Sequence, residues 1–161
     1  MGVAACPKHF AVNSQELRRM ASDSILDERT LRELYLTAFE IVVKEAHPKS
    51  IMSAYNKVND IYANENHHLL VDILRKEWGF DGAVVTDWGG SNDHVEGVKN
   101  GSTLEMPSPG LGGARKLLKA VAEGSLTEQE IDLRVDELLE LVLSTTAAME
   151  KAPRKFDEKA H

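Results

Sequence analysis

Apolar residues recur at three- and four-residue intervals along a long stretch of the first half of the chain, as they do on one face of an α-helix. The stripe consists of Leu31, Leu34, Tyr35, Ala38, Ile41, Val42 and Ala46. Asp27 or Thr30 can cap its first turn, and His47 precedes a proline, which disfavours helical backbone at that residue. The pattern therefore predicts a helix over residues 28–46.

The same spacing predicts four further helices. One of them ends at Trp78, and the other three cover residues 94–99, 114–122 and 128–148. Thr127 and Glu130 have the capping-box spacing at the start of the last helix. The apolar stripe of that helix consists of Ile131, Val135, Leu138, Leu139 and Val142.

Four shorter apolar or β-branched runs alternate with these helices and predict β-strands. They cover residues 2–10, 50–55, 83–87 and 102–106. Strands that alternate with helices are parallel, because each crossover helix returns the chain to the same edge of the sheet. The sequence thus predicts an α/β fold, either an open doubly wound sheet or part of a (β/α)8 barrel. A full barrel takes about 250 residues, so four βα units would form about half of one.

Composition narrows the class of protein. The 161 residues include 19 Lys and Arg against 26 Asp and Glu, a net charge of −7 that argues against nucleic-acid binding. No apolar run approaches the ~20 residues that span a membrane. The N-terminus lacks the features of a signal peptide, and Cys6 is a single cysteine, predicted to be buried and unreactive, so a cytoplasmic location is expected. Residues 151–161 are charged and aperiodic, as in a linker or tail.

Polar residues follow the predicted strands, at the edge where parallel α/β proteins place ligand-binding groups. Asp87 is the strongest candidate, because it ends a β-branched strand and precedes Trp88 and two glycines. The alternative is an N-cap for the next helix, although Ser91 or Asn92 lies closer to that helix. The other strand ends carry Lys8-His9, Met52 to Tyr55, and Glu105-Met106. Taken alone, Lys8-His9 is more typical of a surface lysine beside a core histidine.

Metal and nucleotide sites have little support in the sequence. His67 and His68 are adjacent and diverge on a helix, and no His or Cys has zinc-ligand spacing. The glycines at 89–90 and 110–113 fit neither phosphate-binding pattern, GxGxxG or Walker A. We therefore expect no metal and no cofactor.

The strand ends and their flanking segments, taken together, resemble the N-terminal barrel domain of glycoside hydrolase family 3, specifically its bacterial β-glucosidase branch. The matching segments are KHFAVN (8–13), LDERTLRE (26–33), MSAYNKVN (52–59), EWGFDG (77–82), VVTDW (84–88) and LEMP (104–107). They follow the family order across nearly the whole chain. The combination is specific, although each short segment alone would be weak.

The resemblance implies roles for individual residues. Asp87 matches the family's catalytic nucleophile, and Lys8 and His9 match a pair that hydrogen-bonds sugar hydroxyls. Met52 and Tyr55 match residues that line the same sugar subsite, and Trp88 matches an aromatic residue that packs near the sugar. The resemblance also implies retention of anomeric configuration through a covalent glycosyl-enzyme.

The chain departs from the family in two ways. Asp60 stands where the family usually has glycine in a turn, and aspartate tolerates left-handed backbone better than most residues. The first half of the barrel and the acid/base glutamate of the second domain are absent from these 161 residues. Residues 1–150 are therefore expected to form a partial barrel domain, followed by the tail.

Three functional hypotheses remain open. The first is a retaining β-glycosidase that acts on a β-glucoside or oligosaccharide, with this chain as a fragment that carries the nucleophile. The second is a non-catalytic half-barrel that binds sugar or assembles with a partner chain, and the third is an open α/β domain that binds a phosphorylated metabolite. Half a barrel also leaves open sheet edges, so self-association is expected.

Overall fold

A computed structural model describes residues 2–151 and residue 159. In this part of the chain the helices are α1 (28–46), α2 (His68–Glu77), α3 (His94–Lys99), α4 (Leu111–Ala122) and α5 (Glu128–Glu150). The strands are β1 (Asp23–Ser24), β2 (Ser50–Met52), β3 (Lys57–Val58), β4 (Ile61–Tyr62) and β5 (Ala83–Val85). A 3-10 turn, Ala63–Glu65, connects β4 to the segment before α2. The predicted tail lies largely outside the described residues.

The first helix has the bounds that its apolar stripe predicts. Asp27, not Thr30, caps it, since the Asp27 carboxylate accepts the Thr30 backbone N–H at 2.7 Å. Two of its segments, Leu31–Leu36 and Val42–Ala46, have π-helical hydrogen bonding. The helix ends at His47, whose left-handed backbone has φ 46°.

The main sheet has parallel strands in chain order. β2 pairs with β5, with Ser50 opposite Ala83. A parallel bridge joins Phe10 to Ser53 on one side of this pair, and another joins Val85 to Leu104 on the other side. The predicted parallel α/β arrangement is confirmed.

The two outer strands are shorter than predicted. In the run 2–10, the Phe10 N–H donates to the Met52 carbonyl at 2.8 Å and the Pro7 carbonyl accepts the Met52 N–H at 3.0 Å, but Pro7 has no N–H with which to extend the ladder. In the run 102–106, the N–H groups of both Thr103 and Leu104 donate to the single carbonyl of Val84, at 2.8 and 3.0 Å. Two residues opposite one interrupt the ladder as in a β-bulge.

A second, small sheet was not predicted. β3 pairs in parallel with β1 and antiparallel with β4. The turn between β3 and β4 consists of Asn59 and Asp60, with φ values of 51° and 72°. The expectation that Asp60 adopts the left-handed backbone of a turn is thus confirmed, although the hairpin around it was missed.

The hydrophobic core lies between α1, α2 and the main sheet. The side chains that α2 contributes are fully buried; they are Leu69, Leu70, Ile73 and Leu74. Phe10 is also fully buried, and its ring makes edge-to-face contacts with Phe39 and Trp78 at centroid distances of 5.2 and 5.9 Å. Because Phe10 directly follows His9, this packing anchors the backbone of a candidate site residue.

Helix α5 begins as predicted but packs differently from α2. Thr127 and Glu130 form the capping box, in which the Glu130 carboxylate accepts the Thr127 N–H at 2.8 Å. Much of the predicted apolar stripe is exposed, including Val135, Leu139 and Val142. Among the described residues, no helix is both long enough and apolar enough to cross a membrane.

Candidate active site

The ends of the parallel strands bring His9, Tyr55 and Asp87 together at one edge of the main sheet. Asp87 follows β5 and is only 8% exposed. His9 Nε2 lies 3.3 Å from Asp87 Oδ2. Tyr55 follows β2 and is also buried. The structure therefore gathers three of the predicted site residues from three different βα units.

Backbone hydrogen bonds fix the Asp87 carboxylate and the peptide that follows it. The Trp88 N–H donates to Asp87 Oδ1 at 2.7 Å, and the Tyr55 hydroxyl donates to the Trp88 carbonyl at 2.7 Å. The Gly90 N–H donates to the Asp87 carbonyl at 2.9 Å. Oδ1 is thus held by the Trp88 N–H, while Oδ2 lies beside His9.

Asp87 does not cap the next helix. The N-cap of α3 is Asp93, whose carboxylate accepts the N–H groups of Val95 and Glu96 at 2.9 and 3.1 Å. The predicted caps were wrong, because both side chains are bonded elsewhere. The Ser91 hydroxyl lies 3.3 Å from His94 Nδ1, and the Asn92 side-chain amide donates to the Gly90 carbonyl at 3.1 Å.

The electrostatic environment of Tyr55 reflects its burial beside Asp87. Burial, and then the negative charge of Asp87, raise the pKa of the Tyr55 phenol. The Arg19 guanidinium lies 4.6 Å from the centre of the Tyr55 ring and partly opposes that effect. Arg19 was missed at the sequence level, because it lies in a polar segment with no apolar period.

Different structural reasons explain why glycine stands at each of the two positions after Trp88. Gly89 has φ 73°, a left-handed backbone that glycine adopts at little cost. Gly90 is required for space, since a Cβ atom there would lie 2.8 Å from Asn64 Nδ2 and 3.1 Å from Tyr55 Cδ1. The turn after Asp87 is therefore packed directly against neighbouring side chains.

The remaining predicted site residues are less tightly engaged. Trp88 is 52% exposed beside Asp87, so about half of its surface is available for contact. Met52 ends β2 and is half-buried. Lys8 is exposed and makes no hydrogen bond or ion pair with another described residue.

Other candidate side chains make contacts that do not involve Asp87. Glu105 Oε2 lies 2.7 Å from His94 Nδ1. Asp81 precedes β5, at the end of the strand opposite to Asp87, and its carboxylate lies 3.8 Å from Lys49 Nζ. Cys6 is half-buried rather than buried as predicted, because the segment around it lies near the surface, with Ala5 and Lys8 exposed. Within the described ranges, no three His, Cys, Asp or Glu side chains are grouped to hold a metal ion.

Sequence comparison identifies relatives of the whole chain. It is 45% identical over 160 residues to the thermostable β-glucosidase B of Acetivibrio thermocellus, and the match covers 99% of this chain and 21% of that protein. It is 41% identical over 160 residues to the exo-α-(1→6)-L-arabinopyranosidase of Bifidobacterium longum, again covering 99% and 21% of the two chains. The chain thus spans about a fifth of the length of these curated relatives.

Structural comparison and family matching agree with these relatives. The chain superimposes on the crystal structure of a family 3 β-glucosidase from Bifidobacterium adolescentis with a TM-score of 0.92, at 38% identity over 99% of this chain and 23% of that one. Residues 1–141 match the "Glycosyl hydrolase family 3 N terminal domain". The chain therefore belongs to glycosyl hydrolase family 3, the glycoside hydrolase family to which its resemblance assigned it, and represents part of the N-terminal domain.

Proposed function

We propose that this chain is the part of a retaining β-glycosidase that carries the catalytic nucleophile, Asp87. The observation that supports the proposal is the buried carboxylate at a strand end, oriented by the Trp88 N–H and flanked by His9 and Tyr55. A carboxylate held on a rigid strand end suits attack on an oxocarbenium-like centre.

The proposed architecture is half of a (β/α)8 barrel. Four parallel segments that pair in chain order, from Phe10 to Leu104, support a barrel over a doubly wound sheet, since doubly wound sheets reverse their strand order at a switch point. Barrel enzymes carry their catalytic residues at the carboxyl ends of the strands. His9, Tyr55 and Asp87 follow their strands in that way.

The proposed reaction has two displacements. Oδ2 of Asp87 attacks the anomeric carbon, while the bond to the leaving oxygen breaks and that oxygen takes a proton from a general acid. Water then attacks the same carbon, gives a proton to the conjugate base of that acid, and releases the Asp87 carboxylate. We propose that the general acid comes from outside these 161 residues. His9 and Lys8 would bind sugar hydroxyls, Met52 and Tyr55 would line the subsite, and Trp88 would pack against the sugar.

The test is a chimera in which this chain replaces the matching segment of the Acetivibrio thermocellus β-glucosidase B. We expect the isolated chain to give no measurable turnover of an aryl β-glucoside and the chimera to be active. Asp87→Asn should abolish that activity, because the amide is nearly isosteric but does not form the glycosyl ester. Lys8→Ala and His9→Ala should each weaken transition-state binding by about 1.5–3 kcal/mol, the value of a charge-assisted hydrogen bond.

Asp81→Asn is the matched control, since Asp81 lies at the opposite end of the same strand. It should leave the activity of the chimera unchanged. A mechanism-based fluorosugar should label Asp87, and peptide mapping would locate the label. Labelling of another carboxylate, or an active Asp87→Asn chimera, would overturn the assignment. An inactive chimera that still binds the glucoside would support the non-catalytic sugar-binding half-barrel instead.

A further inference from the structure

The segment between β2 and α2 folds back onto the loop that carries Trp88. After the β3–β4 hairpin, the 3-10 turn Ala63–Glu65 places Asn64 and Glu65 against residues 88–93. Both contacts join residues distant in the chain. The loop after the candidate nucleophile is therefore supported by a different βα unit.

Asn64 bonds directly to the turn after Asp87. Its side chain is 1% exposed, its Nδ2 donates to the Gly90 carbonyl at 2.5 Å, and its Oδ1 accepts from the Ser53 hydroxyl. Gly90 in turn donates its N–H to the Asp87 carbonyl at 2.9 Å. Because a Cβ at position 90 would collide with Asn64 Nδ2, the amide and the turn fit against each other without free space. A displacement of Asn64 would thus be transmitted to the peptide of Asp87.

Glu65 fixes the other end of the same loop. Its Oε1 accepts the N–H groups of Asn92 and Asp93, at 2.8 and 2.7 Å. These N–H groups directly precede α3, whose N-cap is Asp93. The loop 88–93 is therefore bonded at Gly90 by Asn64 and at its end by Glu65.

We propose that Asn64 and Glu65 are positioning residues, which hold the loop 88–93 and thereby set the orientation of the Asp87 carboxylate and the Trp88 ring. The inference rests on the proposed role of Asp87. Both residues act through Gly90, Asn92 and Asp93 rather than by touching the carboxylate. Misplacement of a catalytic group by about 1 Å can cost ~10²-fold in rate, so loss of either contact should affect catalysis more than folding.

The variants are chosen to separate positioning from folding. Asn64→Asp keeps the shape and the acceptor for Ser53 but replaces the donor to Gly90 with a carboxylate oxygen. Glu65→Ala removes the acceptor for the two N–H groups, whereas Glu65→Gln keeps it. The matched control is Asn66→Asp. Asn66 is also buried, but its amide bonds Val58 and Leu69 instead of the loop.

Kinetics are measured in the chimera described above. Asn64→Asp and Glu65→Ala should lower kcat for an aryl β-glucoside by about 10²-fold and slow fluorosugar labelling of Asp87 to match. Glu65→Gln should restore most of the rate. Asn66→Asp should lower the melting temperature as Asn64→Asp does, since it also disturbs a buried amide, but should leave kcat close to that of the parent chimera.

A second readout does not depend on activity. Hydrogen–deuterium exchange of the full 161-residue chain reports on peptides that contain the Asn92 and Asp93 amides. Exchange there should accelerate in Glu65→Ala and stay at the parent rate in Glu65→Gln and Asn66→Asp.

The outcomes separate two kinds of failure. An inactive parent chimera, or an active Asp87→Asn chimera, would overturn the proposed function. If Asp87 is essential but Asn64→Asp and Glu65→Ala lower kcat no more than Asn66→Asp does, the positioning role is wrong. Unchanged exchange in Glu65→Ala would also contradict it.

Discussion

Helices α2 and α5 both carry apolar residues at helical spacing, but the structure uses them in opposite ways. The large apolar side chains that α2 directs inward are fully buried between α1 and the sheet. In α5, only Arg134 is buried, while Leu133, Leu139 and Leu143 are about half exposed or more. An apolar stripe therefore identifies a helix without identifying what holds that helix in place.

A buried charge cluster holds α5 against the rest of the molecule. Glu137 Oε2 lies 3.0 Å from a guanidinium nitrogen of Arg75 on α2, and Glu137 Oε1 lies 3.1 Å from a guanidinium nitrogen of Arg134. The Thr103 hydroxyl donates to Glu137 at 2.5 Å. Burial lowers the pKa of the Arg134 guanidinium, and the charge of Glu137 opposes that effect. Polar contacts thus connect α5 to α2 and to the outer strand.

Loss of the buried carboxylate in this cluster should destabilise the chain most. Glu137→Ala should lower the free energy of unfolding by about 3–5 kcal/mol, because it leaves two buried guanidinium groups without their carboxylate. Urea unfolding of the chain would measure it. Glu140→Ala, on the exposed side of the same helix, is the control and should change stability by less than about 0.5 kcal/mol. Equal losses for the two variants would mean that the cluster does not anchor α5.

Truncation of an apolar side chain should lower the free energy of unfolding more on α2 than on α5. Leu74→Ala on α2 should cost about 2–5 kcal/mol through lost burial and the cavity left behind. Leu139→Ala on α5 removes the same atoms from an exposed site and should cost less than about 0.5 kcal/mol. The same urea titrations would compare them.

Self-association would change that contrast. We expect the chain to associate through open sheet edges, so light scattering should report a mass above 17.8 kDa. If Leu139→Ala costs as much stability as Leu74→Ala and also lowers that mass, then another copy of the chain covers α5. Association would then occur through α5 and not through the sheet edges. A compact 17.8 kDa species at all concentrations would contradict the expectation altogether.

The exposed charges between α1 and α2 should contribute least to stability. The two terminal guanidinium nitrogens of Arg32 donate to the two carboxylate oxygens of Glu77, at 2.7 and 2.8 Å. These hydrogen bonds lower the pKa of Glu77. A carboxyl whose pKa is lower in the folded state stabilises the fold above its unfolded pKa and loses that effect as the pH falls through the folded value. Glu77→Gln should therefore cost about 0.2–1 kcal/mol at neutral pH and nothing once the carboxyl is protonated.

Urea unfolding at neutral and acidic pH would test this prediction. Glu45→Gln, an exposed position on α1 without an ion pair to another described residue, is the control. A pH-independent difference between parent and Glu77→Gln would show that Glu77 contributes through packing.

Local patterns in the sequence explain most of what could be predicted. The 28–46 helix and the capping box at Thr127 follow from residue types within one or two turns. Asp87 could be identified because a β-branched strand ends there, and parallel strand ends converge. Its contact with His9 follows from the same convergence, although the distance does not.

The missed features depend on contacts between distant residues. Two-residue strands such as β3 and β4 show no period, so the hairpin was not recognised. Arg134 reads as a surface charge in a helix, and only Glu137 and the packing of α5 make it buried. Asn64 and Glu65 carry no motif, and their bonds to Gly90 and Asp93 join residues that are distant in the chain.

The order of the strands has a consequence for how such a sheet assembles. Phe10, β2, β5 and Leu104 pair in the order in which they occur in the chain. Each pairing therefore closes a loop of a single βα unit, and the entropy of closure grows only slowly with loop length. No strand has to be inserted between two that are already paired, so a further unit joins at an edge without breaking an existing ladder. A nascent chain can extend this sheet one unit at a time, and His9 meets Asp87 only after the third unit has been added.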